Sequence, residues 1–308
     1  MSGDRGGAPE AGPMDWVSTA VGLGIVVIVL RDVFHTLLHP AGRGTLARLV
    51  MRLVWRSAGR GGRKGRISGL AGPLGMAAVA LLWSLATIVG WALIYLADMP
   101  EGFAFSVESH QRNSLLDAVY LSLVTVTTLG FGDIAPTSVW MRLATPIEAL
   151  VGFSLLTAVV AWVVEVYPAL TRRRVLALRL SVLRRARNHP EDKPPEHLPP
   201  DLLADLAAAV AEVRVDLTQF PTSYYFREQT EETALPAMLR YALDLVDLAA
   251  ESADPHVRTA GRMLGCALDD LATVLNDDFL RVGGDTREVL RAYARDQRHH
   301  AETAWSGS

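Results

Sequence analysis

Three apolar runs, at residues 16–30, 71–97 and 138–168, govern what this chain can fold into. A bilayer core about 30 Å thick needs ~20 consecutive apolar residues from a helix that rises ~1.5 Å per residue. The second run, Leu70 to Ala97, meets that length, and its Trp91 and Tyr95 suit an interfacial aromatic belt. The third, Ser138 to Pro168, is longer still. The first is broken by Arg31 and Asp32, so it spans from Trp16 to about Leu38 only if Arg31 and His35 sit at the boundary; His39-Pro40 then ends it. A cleaved leader is disfavoured, because Asp4, Glu10 and Asp15 outweigh one arginine and no small-residue cleavage site follows.

The formal charge of −3 hides an asymmetry that orients these spans. Residues 41–69 carry Arg43, Arg48, Arg52, Arg56, Arg60, Arg63, Lys64 and Arg66 without one acid, and 171–187 carry seven arginines, again without an acid. Short basic segments beside spans stay on the cytoplasmic side, which places Asp98, Glu101 and Glu108 outside, together with the N-terminus. Within the first basic stretch, Leu46, Leu49, Val50 and Leu53 alternate with Arg48, Arg52 and Arg56, the pattern of a helix lying on an anionic inner leaflet. These arginines do not read as a voltage sensor, whose arginines belong inside a spanning helix. His189 to Pro200 is a stiff, proline-rich boundary, after which helical spacing returns at Leu202, Leu203, Leu206, Val210 and Val213, at Leu239, Leu243, Val246 and Leu248, and at Leu264, Leu268, Leu271 and Leu275. Residues 189–308 hold eleven Lys and Arg against twenty-two Asp and Glu, so this module is acidic.

Between the second and third spans lies Ser114 to Thr127, apolar but too short to cross. Such a segment enters a membrane only as a half-helix buried in protein. The residues that follow read Thr127-Thr128-Leu129-Gly130-Phe131-Gly132-Asp133. An ion in a narrow pore must exchange its hydration for a ring of oxygens, and backbone carbonyls supply them without a net charge that would trap it. Carbonyls of an extended strand alternate in direction, so aiming them at one axis needs φ > 0 at intervals, which glycine adopts cheaply. Gly130 and Gly132 provide that alternation. The half-helix points its negative dipole end, near Thr127, at the same place. The ion-coordinating groups are therefore Thr128, Leu129, Gly130 and Phe131, with Gly132 at the mouth and Asp133 behind it.

The run Thr128-Leu129-Gly130-Phe131-Gly132-Asp133 closely resembles the potassium-channel signature Thr-Val-Gly-Tyr-Gly-Asp. Trp140 and Arg142 stand where the two-transmembrane bacterial channels of that family have a tryptophan and an arginine, and Gly152 falls at the family's gating-hinge glycine. The resemblance covers residues 71–168. Phe131 lacks the tyrosine hydroxyl that braces the filter from behind in much of the family, and Val124 replaces a glutamate that in some members bonds the filter aspartate. Tyr120 or Trp140 is then the candidate partner of Asp133, with Val124 and Thr127 completing the filter support. The resemblance implies a four-fold assembly of pore loops.

Several signals have plainer readings. Glu148, an acid inside a span, either bonds the back of the half-helix or lines the pore, or is a structural acid, and Glu165 is either a cation-attracting ring or a solvated helix end. Asp32, His35 and His39 share a face that can bind a metal or titrate, although solvated side chains explain them as well. Asp269-Asp270 and Asp277-Asp278 lack calcium-loop spacing. Val282-Gly283-Gly284-Asp285 has no flanking spans and is no second filter. The lone Cys266 gives no disulfide framework or cysteine metal site.

The expectation is an all-α membrane protein, a tetrameric pore-loop channel with an additional N-terminal transmembrane helix and an all-helical cytoplasmic domain. Its parts are a disordered N-terminus (1–14), the extra span (15–40), a basic interfacial helix and connector (41–69), the pore domain (70–168), a basic continuation (169–188), the linker (189–200) and the helical module (201–308). It is expected to be a homotetrameric potassium channel of the cell membrane rather than an enzyme, in contact with anionic inner-leaflet lipids, open to a cytoplasmic regulator, and without nucleic-acid partner, cofactor or metal beyond K+. A weakly selective cation channel and a non-conducting membrane sensor or scaffold are the alternatives.

Overall fold

The computed structural model describes residues 13–37, 44–60, 70–106, 113–187, 198–228 and 230–297. Residues 1–12 of the expected disordered N-terminus (1–14), His39, residues 61–69 of the basic connector and most of the proline-rich linker lie outside the described residues, while Pro13 and Met14 begin a helix instead. The helices are α1 (Pro13–Leu37), α2 (Thr45–Arg60), α3 (Ala71–Leu96), α4 (Ser114–Val126), α5 (Val139–Arg187), α6 (Pro200–Gln219), α7 (Leu235–Ala250), α8 (Pro255–Leu275) and α9 (Thr286–Asp296). Three of them, α1 from Trp16 onward, α3 and α5, are long and apolar enough to cross a membrane, whereas α4 has only 13 residues. The chain packs as two compact units.

The first unit comprises residues 1–39, 44–47 and 77–162. Here α1 packs against α3 through glycines: a Cβ on Gly22 would lie 2.3 Å from the carbonyl oxygen of Gly90. Contact this close lets two helix backbones touch in a medium where hydrophobic exclusion does not drive them together. Val26 of α1, Trp91 and Tyr95 of α3, Leu121 and Val124 of α4 and Met141 and Ala144 of α5 form one buried cluster. No strand is expected from the residue pattern, yet β1 (Phe103–Phe105) pairs antiparallel with β2 (Ile134–Pro136), Phe105 opposite Ile134. This two-stranded clasp ties the segment after α3 to the segment after residue 133.

Asp32 corrects the expectation of a solvated face. It is 5% exposed, and its carboxylate accepts hydrogen bonds from Leu46 N at 2.9 Å, Ala47 N at 3.2 Å and Trp83 Nε1 at 2.9 Å. Leu46 and Ala47 are the second and third residues of α2, the positions that an N-cap side chain satisfies. Gly44, which precedes α2, has no side chain to offer, and a Cβ there would meet Thr36 Oγ1 at 1.9 Å. Asp32 therefore caps α2 from another helix. No group of three or more metal-ligating side chains occurs among the described residues. Replacing Asp32 by alanine strands these donors at about 1–3 kcal/mol per buried group. Thermal unfolding in detergent should therefore drop for Asp32→Ala, with Asp32→Asn, which keeps one acceptor oxygen, in between.

The second unit comprises residues 40–43, 48–76 and 163–308. Its core joins Leu203, Leu206, Val210 and Val213 of α6 to Leu239 and Leu243 of α7 and Leu264, Leu268, Leu271 and Leu275 of α8, all buried. On α7 the inward stripe is Leu235, Leu239, Ala242, Leu245 and Ala249, which leaves Leu248 39% exposed. The spacing of large side chains points Val246 and Leu248 inward; Val246 is half-buried beside Gly265 of α8, whereas Leu248 turns out because alanines carry part of the stripe. Asp254 caps α8 by accepting from His256 N at 2.8 Å, and Asp285 with Glu288 forms a reciprocal capping box at α9. Val282 to Asp285 is thus the entry to a helix.

The α2 helix also departs from a simple surface pattern. Ala47, Met51 and Trp55 form a buried edge, with Met51 Sδ 2.5 Å from where a Gly75 Cβ would lie, while Leu49 and Leu53 remain 49% and 55% exposed. Helix α5 has 49 residues. At ~1.5 Å per residue it far exceeds a bilayer core of about 30 Å.

Candidate functional site

The site is built from α4 and the loop that leaves it. Asn113 starts α4 by accepting from Leu115 N at 3.2 Å and Leu116 N at 3.3 Å. After Val126 the backbone takes positive φ at every second residue: Thr128 at 58°, Gly130 at 52° and Gly132 at 78°. Thr128 was not foreseen in this role, since a β-branched residue with positive φ is costly. Its strain is offset by what the turn secures. Thr128 N donates to Thr125 O at 2.9 Å, and Leu129 N and Gly130 N both donate to Val124 O, at 2.8 and 3.2 Å. The N–H groups of Thr128, Leu129 and Gly130 are thus spent on the end of α4.

The loop's far end is anchored separately. Tyr120 Oη donates to Asp133 Oδ2 at 2.8 Å, while Trp140, the other candidate partner, is 60% exposed. Ser106 N donates to Asp133 O at 2.8 Å, where the β1–β2 clasp begins. Thr127 Oγ1 turns back to Leu123 O at 2.7 Å. Between these anchors Leu129 and Phe131 are 62% and 67% exposed on the single chain.

Glu148 of α5 stands behind α4 and is fully buried. Tyr95 Oη of α3 donates to its Oε2, and Ser122 Oγ of α4 approaches its Oε1 at 2.5 Å and Ile88 O at 3.1 Å. Of the readings open for Glu148, the side chain takes the back of the half-helix, where it bridges α3, α4 and α5. Tyr95 and Ser122 were missed as partners, although an acid within a span requires donors and hydroxyls on the neighbouring apolar helices are the natural suppliers. One turn further along α5, a Cβ on Gly152 would lie 2.3 Å from Val126 O. Gly152 therefore lets α5 pass in contact with the last turn of α4. Glu165 is exposed.

Residues 79–168, which contain this loop and the helices around it, match a protein-family model described as "Ion channel". This segment is similar to ion-channel domains, and it holds α3 from Val79 onward, α4 and the apolar part of α5. The chain is also 29% identical over 143 residues to the "Uncharacterized membrane protein YdjJ" of Bacillus subtilis (strain 168), covering 46% of this chain and 41% of that protein. It is 37% identical over 83 residues to "Protein LctB" of Bacillus caldotenax, covering 24% of this chain and 60% of that protein. It thus spans less than two thirds of the length of either relative. No solved structure matches the chain.

Proposed function

We propose that the chain is one subunit of a homotetrameric potassium-selective channel that passes K+ passively across the cell membrane. The observation that carries this reading is the alternation of positive φ at Thr128, Gly130 and Gly132 in a loop whose first three N–H groups bond back to α4. Alternating left- and right-handed residues turn successive carbonyls to one side, and four such loops around an axis would make stacked rings of oxygens for a dehydrated cation. Non-helical backbone at membrane depth must be enclosed by protein or water, so the exposed loop with Leu129 and Phe131 calls for neighbouring subunits. One loop per chain makes that assembly a four-fold ring of identical copies.

In this arrangement Thr128, Leu129, Gly130 and Phe131 coordinate the ion, Gly132 shapes the mouth, and Tyr120, Val124, Thr127, Asp133 and Trp140 support the filter. The last span lines the inner pore with Glu165 as a ring of negative charge, and Gly152, the expected gating hinge, is the point where α5 passes against Val126 O beneath the filter, so close packing is its first role. The basic flanks lie in the cytoplasm with residues 201–308, the N-terminus lies outside, and α2 sets Arg48, Arg52 and Arg56 against anionic lipids. No cofactor is required.

Reconstituted in liposomes, the protein should take up K+ down its gradient and be blocked by barium. Gly130→Ala forces a Cβ onto a residue at φ 52°, at a cost of about 1–2 kcal/mol per subunit. It should abolish flux while the protein still assembles. Full flux in that variant would remove the carbonyl filter from the mechanism. Weaker selectivity is the second reading, favoured by Phe131, which has no hydroxyl to brace the filter. Equal K+ and Na+ permeability from reversal potentials would establish it.

A further inference from the structure

The second unit contains a nine-residue segment, Phe220 to Glu228, that no motif singled out. It includes a 3₁₀ turn, Pro221–Tyr225, and its side chains and carbonyls are held by four different helices. From α2, Trp55 packs against the rings of Tyr224 and Tyr225 at 6.0 and 5.5 Å, with the Arg227 guanidinium 3.9 Å over its face. At the start of α3, Gly72 lies so close to the Phe226 ring that a Cβ would come within 2.5 Å of it. From α5, Arg173 donates to Ser223 O at 2.8 Å and to Phe226 O at 2.7 Å, and Arg174 Nε to Glu228 Oε1 at 2.8 Å. From the end of the module, Asp296 accepts from Tyr224 Oη at 2.6 Å and Gln297 donates to Tyr224 O at 2.8 Å.

Arg173 is the unusual member of this set. Its side chain is 4% exposed and its two terminal nitrogens serve the carbonyls at the end of the turn, with the Glu228 carboxylate 3.5 Å away. A cation at the carbonyl end of a helical turn is favourably placed. A buried guanidinium is nonetheless tolerated only when paired and hydrogen-bonded, so partial withdrawal is worse than either full docking or full release. Next to it, Arg172 grips Asp216 of α6 through two bonds, at 2.8 and 2.5 Å.

We infer that the Phe220–Glu228 turn is the coupling element of this protein, fastening the continuation of α5 to α2, with Arg173 as the positioning residue of the α5 side and Trp55 as that of the α2 side. It rests on the channel reading only for its consequence, namely that α5 cannot change its gating position while α2 stays put. Because both helices hold the same short turn, loosening either contact frees both.

The test uses the full chain in liposomes and in detergent. In hydrogen exchange, Arg173→Lys, which keeps the charge but cannot reach both carbonyls, should lower protection at 220–228 and also in α2 at 51–55, which the turn holds through Trp55. Unchanged exchange in α2 would overturn the coupling, whether or not the protein conducts. In flux and single-channel recordings, Trp55→Ala and Arg173→Lys should each move open probability by about fivefold or more, the scale of a modest coupling energy, with reversal potential unchanged. The double variant should move it no further than the larger single. Independent, multiplying shifts would overturn the proposal. Absence of flux in the wild type would count against the channel reading and leave the exchange result to decide the coupling.

Discussion

Replacing Glu148 by alanine should abolish the discrimination of K+ from Na+ and lower the melting temperature of the assembled protein. The fully buried carboxylate takes hydrogen bonds from Tyr95 of α3 and Ser122 of α4 while itself belonging to α5. Alanine strands the Tyr95 hydroxyl at about 1–3 kcal/mol, leaves Ser122 with Ile88 O alone at 3.1 Å, and opens a cavity besides. The loss reaches the filter because Ser122 lies one turn from Val124 and Thr125, whose carbonyls hold the N–H groups of Thr128, Leu129 and Gly130. Glu148→Gln keeps one acceptor and sets an amide donor against the other hydroxyl, so it should fall between. Reversal potentials under mixed K+ and Na+ and a thermal-shift assay measure the two effects. A Glu148→Ala protein with wild-type selectivity would show that α4 holds the loop without support from α5.

Gly152→Ala should impair selectivity together with conduction. The added Cβ would lie 2.3 Å from Val126 O, and the obstacle is backbone, so α5 or the end of α4 has to move by about an ångström. Overpacking of this kind costs about 1–3 kcal/mol, and the displaced carbonyl lies in the turn that launches residues 127–133. A hinge residue behaves differently: substitution shifts open probability and leaves the reversal potential alone. Single-channel recording of Gly152→Ala separates the two roles. A changed reversal potential assigns the glycine to close packing under the filter, and a pure gating shift assigns it to bending.

The architecture was largely legible because its strongest signals are local. Hydrophobic length marks α1, α3 and α5, and the shortness of the apolar run at 114–127 marks α4 as something other than a span. The alternation at Gly130 and Gly132 was readable from the meaning of glycine, whereas the positive φ of Thr128 was not, since it comes from the three bonds that pull the loop back onto α4. Asp133 had two candidate partners by residue type, and only the fold brings Tyr120 to it at 2.8 Å. What stayed hidden depends on distant segments meeting. The Glu148 network joins residues 26 and 53 positions apart, and the tail turn carries neither a charge pattern nor a glycine signature that would announce its partners. The α2 helix was half legible: its basic face reads directly, but Met51 and Trp55 look like further membrane-facing residues until the docked turn is seen.

The capping of α2 by Asp32 sets an order of events during synthesis. The donors to this carboxylate lie 14, 15 and 51 positions further along the chain. A ribosome that has just delivered α1 has made an acid whose backbone partners are not yet translated, and its indole partner, Trp83, follows only when α3 is half made. The first helix must therefore be held near the membrane surface with Asp32 still hydrated, and can settle only after α3 inserts beside it. Shortening or stiffening the stretch between α1 and α2 would delay this late closure. The defect would appear as slow maturation and sensitivity to membrane proteases during biogenesis, while the finished protein would remain as stable as before.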